Sequence, residues 1–290
     1  MRTIPAAALL MLAACVAWAS DPPGTTHAEP APAASSDSSA PTYTPPKAPK
    51  IRAKGKTEDN NQASSSDNQV SLLAPDVDVI DAPTTAVLDY GGYSSQSRMY
   101  RAGGLLEWVS FGVYNGINIG AAAAVDGLIG DSKDVHVRAP TAQVKWRFYD
   151  GDRWIPSLAA GYDGQGYDWN SLDDRYNQKQ RGGYLVASQE LGVPGLMLHP
   201  SVNISDFNHN GVFGALPLSY NIKDKVSLLA EWDNINNYVD SRVNVGARFY
   251  VTPHFDVDFA VRAIGQGGHF NNGDSRGPER VIQLRYVGNF

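Results

Sequence analysis

The sequence predicts an all-β fold: a transmembrane antiparallel up-and-down β-barrel of about 12 strands, preceded by a disordered leader. Three observations carry this. From Thr84 onward the chain alternates polar and apolar residues, and a period of two puts one set on each face of a sheet. The links between these runs alternate in length, with short turns on one rim and longer loops on the other. An export signal precedes the runs, and the chain closes on Phe290, in phase with Ile282, Leu284 and Tyr286.

The signal occupies residues 1–19. Arg2 supplies the positive start, Ile4 to Val16 an apolar stretch, and Ala17-Trp18-Ala19 a small-x-small cleavage site before Ser20. A rival reading takes Leu12-Ala13-Ala14-Cys15, which resembles the lipobox of bacterial lipoproteins. Either way the chain leaves the cytoplasm. Cys15 is the only cysteine, so the mature chain has no disulfide and no cysteine-based metal site or thiol nucleophile. A formal net charge of −6, with acids spread along 290 residues, argues against nucleic-acid binding. No apolar run of roughly 18 residues follows the signal, so no transmembrane helix is expected.

Residues 20–83 are rich in Ala, Pro, Ser and Asp and nearly free of aromatics. Such a segment buries too little apolar surface to offset its ordering entropy, and reads as a disordered periplasmic leader. It holds a basic cluster of Lys47, Lys50, Arg52, Lys54 and Lys56, read either as a solvated linker or as an arm attracted to anionic polymer. Val77-Asp78-Val79-Ile80 resembles the short motif by which energised transporters contact a periplasmic partner. The chain has no room for the large barrel and plug of such transporters.

The barrel is expected over 84–290, with strands near 85–92, 98–113, 117–125, 140–149, 154–163, 182–191, 196–206, 212–222, 225–234, 241–250, 255–264 and 279–290. Asn115-Gly116 and Lys223-Asp224 carry turn chemistry, whereas 126–139, 164–181 and 265–278 are long. An even strand count leaves both termini on the short-turn rim. Gly103-Gly104 reads as a pair of strand glycines that lets neighbours approach closely.

In the five clearest strands one face is apolar, through Val144, Trp146, Phe148, Leu228, Trp232, Val243, Val245, Phe249, Phe259, Ile282 and Leu284. The other face carries Lys145, Arg147, Glu231, Asp233, Arg242, Arg248, Asp256, Asp258, Arg262 and Arg285. With lipid outside, these ten line the lumen, where ions must be paired or hydrated. Counting back from the hairpin turns sets Asp233 opposite Arg242 and Arg248 opposite Asp258. A tube of this strand number is roughly 25 Å across. A narrow water path is expected, with Arg147, Arg248, Arg262 and Arg285 on one side and Glu231, Asp233, Asp256 and Asp258 on the other. Tyr286 and Phe290 resemble the terminal signal that such barrels present to the β-barrel assembly machinery.

Several further runs are similar to the barrel domains of the YjbH-like outer-membrane family, linked to exopolysaccharide export. They are Asp81-Ala82-Pro83-Thr84-Thr85-Ala86, the stretch from Pro156 to Tyr167, Arg181 to Glu190, Glu231-Trp232-Asp233-Asn234 and Asn244-Val245-Gly246-Ala247-Arg248. The resemblance spans roughly 82–290. It implies an outer-membrane barrel with no established enzymatic activity, although this chain is much shorter than the full-length members.

Other chemistry finds little support. His199 and Ser201 share a strand face, as do the His-x-Ser pairs of outer-membrane lipid A deacylases, but Leu198, Val202 and Ile204 take the lipid side and turn the pair inward. Asp173, Asp174 and Asn208-His209-Asn210 fall on outer loops, where metal binding is a minor reading. Gly164-Gln165-Gly166 opens no helix and is no nucleotide motif. No cofactor, no metal and no catalytic residue is expected. The expected partners are outer-membrane lipids, the assembly machinery, and polysaccharide or small solutes. The functional expectation is a narrow porin-like channel or export component in the bacterial outer membrane. The alternatives are a sealed structural anchor and, more distantly, a lipid hydrolase.

Overall fold

A computed structural model describes residues 73–290, apart from 131–134, 153, 167–168, 171, 173–174, 177–181, 206–210, 237–240, 271–272 and 274. The described residues all belong to one compact unit, Ser65–Phe290. The signal, the possible lipobox and the basic cluster therefore lie outside the described residues.

Twelve strands form the wall. They are β1 (Gly92–Tyr100), β2 (Gly104–Tyr114), β3 (Ile117–Asp126), β4 (Thr141–Tyr149), β5 (Ser157–Asp163) and β6 (Gly182–Glu190). Next comes β7, in two pieces, Leu196–Leu198 and Ser201–Ser205, then β8 (Val212–Ile222), β9 (Val226–Asp233), β10 (Arg242–Thr252), β11 (Phe255–Ile264) and β12 (Glu279–Asn289). Each pairs antiparallel with its sequence neighbours, and β1 closes the ring on β12 from Gly92 opposite Asn289 to Met99 opposite Ile282. Closure leaves no free sheet edge. Pro200 breaks β7 because it offers the ladder no N–H.

The distribution of residues is inside-out. Val144, Trp146, Phe148, Leu228, Trp232, Val243, Val245, Phe249, Phe259 and Ile282 are exposed on the outer surface, while Arg98, Arg248, Arg262 and Arg285 are each no more than 1% exposed. A barrel in water buries the first set and exposes the second. This one suits lipid outside, so it crosses a membrane on strands. Near the short-turn rim Phe290 packs on Tyr93 at 5.0 Å and on Phe111 at 6.3 Å between ring centroids, part of an aromatic girdle.

The count of twelve agrees with the sequence, but the first two strands do not. Residues 85–91 are no wall strand, and the single expected run over 98–113 crosses from the end of β1 into β2. They are joined by a three-residue 3₁₀ turn at Arg101–Gly103. Gly103 takes a φ of 68°, in the left-handed region, and makes the turn, and the pair also admits the close approach expected of it: a Cβ on Gly103 would run into the Ile129 carbonyl and one on Gly104 into the Tyr100 ring. The wall thus begins at Gly92, not near Thr84. The stretch before it, including the end of the expected leader, is folded inside the barrel.

Candidate functional site: the luminal hairpin and its chamber

Residues 74–91 form a hairpin tucked into the lumen. The ingoing limb starts at the short-turn rim, where the Ala74 N–H donates to the Pro253 carbonyl at 3.1 Å, in the turn between β10 and β11. The limbs pair through Asp78 and Pro83, with Thr84 N–H donating to the Val77 carbonyl at 3.1 Å and Val79 N–H to Ala82 at 3.0 Å. The tip is therefore Ile80-Asp81. The outgoing limb returns to the same rim at Gly91, whose N–H donates to Gly112 and whose carbonyl accepts from Phe290.

Two kinds of contact hold the hairpin. Val79 and Ile80 pack with Leu229, Ala260 and Val281, which removes apolar side chains of both hairpin and wall from water. The acids of the hairpin meet the arginines of the wall. Asp81 bridges Arg98 at 2.7 Å and Arg262 at 2.6 Å. Arg98 also reaches Gln283 at 2.7 Å, and Arg262 reaches Glu279 at 3.1 Å. Asp76 takes Arg248 at 2.8 Å, Arg285 at 3.2 Å and the Tyr250 hydroxyl at 2.6 Å. Asp78 accepts from Gln96 at 2.8 Å and lies 3.2 Å from Arg248 and 3.4 Å from Arg285.

The tip has a reciprocal lock. Glu231 of β9 accepts the backbone N–H groups of Ile80, Asp81 and Ala82 at 2.6, 2.9 and 3.0 Å on one carboxylate oxygen. Asn244 of β10 donates to the other oxygen at 3.0 Å. Three convergent N–H groups make a cradle for an anion, here filled from the wall. Lys145 adds a bond from Nζ to the Val77 carbonyl at 2.7 Å.

Burial alone pushes the carboxyls of Asp76, Asp78 and Asp81 up. The facing guanidinium groups outweigh it: Arg248 and Arg285 for the first two, and Arg262 and Arg98 for Asp81. All three are held below the ordinary aspartate value of 3.8.

The register places Asp233 against Arg242 and Arg248 against Asp258, as hairpin counting expects. Both pairs are in contact, the second bidentate at 2.7 and 2.8 Å. Arg285 lies 3.0 Å from Asp256. Arg147 sits at the short-turn end of β4, partly exposed, 2.8 Å from Asp150. Tyr286 and Phe290 lie on the outer surface. One expectation is corrected. The charges do not form a positive wall facing a negative one, because Arg248 and Arg285 pair with acids on adjacent strands. The space between the walls holds the hairpin, whose Asp76, Asp78 and Asp81, like Arg98, Gln96 and Asn244 of the wall, were not among the expected site residues.

The hairpin does not fill the lumen. Beside it lies a cavity of about 360 Å³, bounded by Val77 and Asp81 of the hairpin and by wall residues that include Trp108, Asn118, Gln143, Tyr184 and Asn203. This lining mixes aromatic and amide side chains with charged ones, among them Lys145, Asp163, Asp233 and Arg242.

No family model matches this chain, and no curated protein matches it. Among solved structures it is similar to a KdgM porin, at 10% identity and a TM-score of 0.45, covering 67% of this chain and 98% of that one. It is also similar to a NanC porin, at 10% identity, a TM-score of 0.40, and 68% and 99% coverage. LpxR from Salmonella typhimurium matches at 10% identity with a TM-score of 0.36, covering 67% and 99%.

His199 is buried in the lumen, where Nδ1 shares a hydrogen bond with Ser188 at 2.7 Å and Nε2 one with Ser219 at 3.1 Å. Both ring nitrogens are thus engaged by hydroxyls other than that of Ser201. Ser188 Oγ accepts the Thr85 N–H at 3.1 Å, so this cluster fastens the outgoing limb. Among the described residues no group of three His, Cys, Asp or Glu is placed to hold a metal; Asp173, Asp174 and Asn208 to Asn210 lie outside them.

Proposed function

We propose that this chain is a bacterial outer-membrane barrel acting as a narrow porin-like channel, restricted from within by its own N-terminal hairpin. The observation that carries this reading is the hairpin lying along one side of the lumen beside a chamber of about 360 Å³. The export signal and the apolar outer surface support the location. With both ends of the hairpin on the short-turn rim, that rim faces the periplasm and the leader lies there. The resemblance to the YjbH-like family supports an association with exopolysaccharide. The chamber fits such a solute, since Trp108 and Tyr184 offer ring faces and Asn118, Gln143 and Asn203 offer amides to a hydroxyl-rich chain, with the charged Lys145, Asp163, Asp233 and Arg242 beside them.

The sealed-anchor reading has its own observation, the complete engagement of Arg98, Arg248, Arg262 and Arg285 by carboxylates of hairpin and wall. Planar-bilayer recording separates the two. The channel reading expects small unitary currents from the natural chain and larger ones from an Asp78→Asn, Asp81→Asn variant whose hairpin is loosened. A natural chain silent at every voltage establishes the sealed anchor instead.

A further inference from the structure

The wall from β5 to β8 stands across the ring from the strands whose arginines hold the hairpin. One row of register partners on it runs from Gly161 of β5 through Tyr184 of β6 and Asn203 of β7 to Phe213 of β8. The last three border the chamber, so two aromatic rings flank an amide at one level of the wall. One step along the strands, Ala159, Ser201 and Ala215 are small, which leaves the space in front of the row open. A Cβ on Gly161 would run into the Tyr184 phenol. The ring therefore lies down over β5, and Tyr184 rather than Gly161 borders the chamber. A ring laid on the wall turns a face, not an edge, toward the lumen.

Between the rings, the Asn203 amide oxygen is closed off from water and accepts no hydrogen bond. An amide oxygen buried without a partner costs about 1–3 kcal/mol, and a leucine of similar size would avoid that cost. Rotation about the last torsion of Asn203, a soft one, carries the oxygen to the chamber, where an incoming donor meets it. The charges nearest in register are already engaged. Asp233 pairs with Arg242, Asp163 accepts from Gln143 at 2.9 Å, and Lys145 donates to the Val77 and Ala86 carbonyls of the hairpin. The row itself is uncharged.

We infer that Tyr184, Asn203 and Phe213 form a binding subsite for one neutral pyranose ring of an oligosaccharide, an inference that rests on the reading of the lumen as a solute path. A pyranose has an apolar C–H face and a rim of hydroxyls. The face lies on the Tyr184 or Phe213 ring, and a rim hydroxyl donates to the Asn203 oxygen. A hydrocarbon chain uses the rings and leaves the amide unpaired, and an ionic solute needs a charge that the row does not hold. The chamber of about 360 Å³ falls within the range of roughly 300–1,000 Å³ of small-ligand sites.

The test uses the full chain in detergent, with maltohexaose, cellohexaose and N-acetylchitohexaose as probes and a polyethylene glycol of equal length as control. Calorimetric titration is expected to show binding of at least one hexamer and none of the glycol. Tyr184→Ala is expected to weaken it about tenfold and Asn203→Leu about fivefold, through the loss of one ring contact and of one hydrogen bond. Asn203→Leu also separates a binding amide from a structural one. Its oxygen has no partner to lose, so the urea midpoint of the heat-modifiable barrel is expected to hold or rise. A midpoint that falls while affinity is kept assigns Asn203 to the wall and overturns the subsite. So does a natural chain that binds none of the hexamers or binds the glycol as well, or binding unmoved by Tyr184→Ala. The same hexamers in planar bilayers separate the subsite from the channel. An ion current that they fail to block, with no heat of binding, removes the subsite and leaves the channel. A silent chain that still binds a hexamer through Tyr184 and Asn203 keeps the subsite and removes the channel.

Discussion

Asp81 is shared between two guanidinium groups, each of which has a further partner in the wall, Gln283 for Arg98 and Glu279 for Arg262. Asp81→Asn keeps the shape and removes one charge, so neither arginine is left alone. The cost should be that of weakened charged hydrogen bonds, about 1.5–3 kcal/mol. Arg248 is the opposite case, because Asp258, Asp76 and Asp78 all converge on it. Arg248→Met takes a guanidinium from three carboxylates at once, leaving Asp258 to Gln283 and Asp76 and Asp78 to Arg285, and should cost more, about 3–5 kcal/mol. Urea-unfolding midpoints of the folded, heat-modifiable species measure both. Equal shifts for the two variants would mean that convergence on Arg248 contributes nothing beyond a single pair.

At the scale of the element, the hairpin owes its place to contacts distant in sequence, such as Glu231 with Ile80 or Arg285 with Asp76. A protease added to the detergent-solubilised protein should therefore cut before the short-turn rim and leave Asp76 to Leu88 intact, as mass spectrometry of the limit fragment would report. Cleavage between Val79 and Thr84 while the barrel stays folded would contradict a docked hairpin. The same non-locality explains what the sequence concealed. Wall strands such as Thr141–Tyr149 and Phe255–Ile264 announce themselves by period two, because lipid and lumen impose opposite demands on successive residues. Composition placed Asp76 to Pro83 in the leader, since that segment has no aromatics and its burial depends on arginines provided elsewhere. The turn at Arg101–Gly103 was equally hidden: apolar residues flank it, and only a left-handed glycine marks it.

For the whole molecule, one numerical hint in the wall pointed to the hairpin. The five clearest strands present six cations, Lys145, Arg147, Arg242, Arg248, Arg262 and Arg285, against five acids, Glu231, Asp233, Asp256, Asp258 and Glu279. A lumen surplus of positive charge must be met by water, solute or another part of the chain, and here the hairpin supplies Asp76, Asp78 and Asp81. Docking should therefore depend on pH in one direction. With the hairpin withdrawn, these carboxyls titrate at their ordinary value of 3.8; docked, all three titrate lower. The withdrawn state thus binds protons more readily. Docking is at full strength above 3.8, and its advantage drains away as pH falls through the lower, docked values. These three carboxyls should accordingly contribute no change in conductance from pH 8 to 5 and a rise only below about 4. Under the same acid conditions the Asp78→Asn, Asp81→Asn variant, with two of the three titrating groups gone, should respond less. An increase already complete at pH 6 would exclude these aspartates as the lock and assign control of the lumen to a different group.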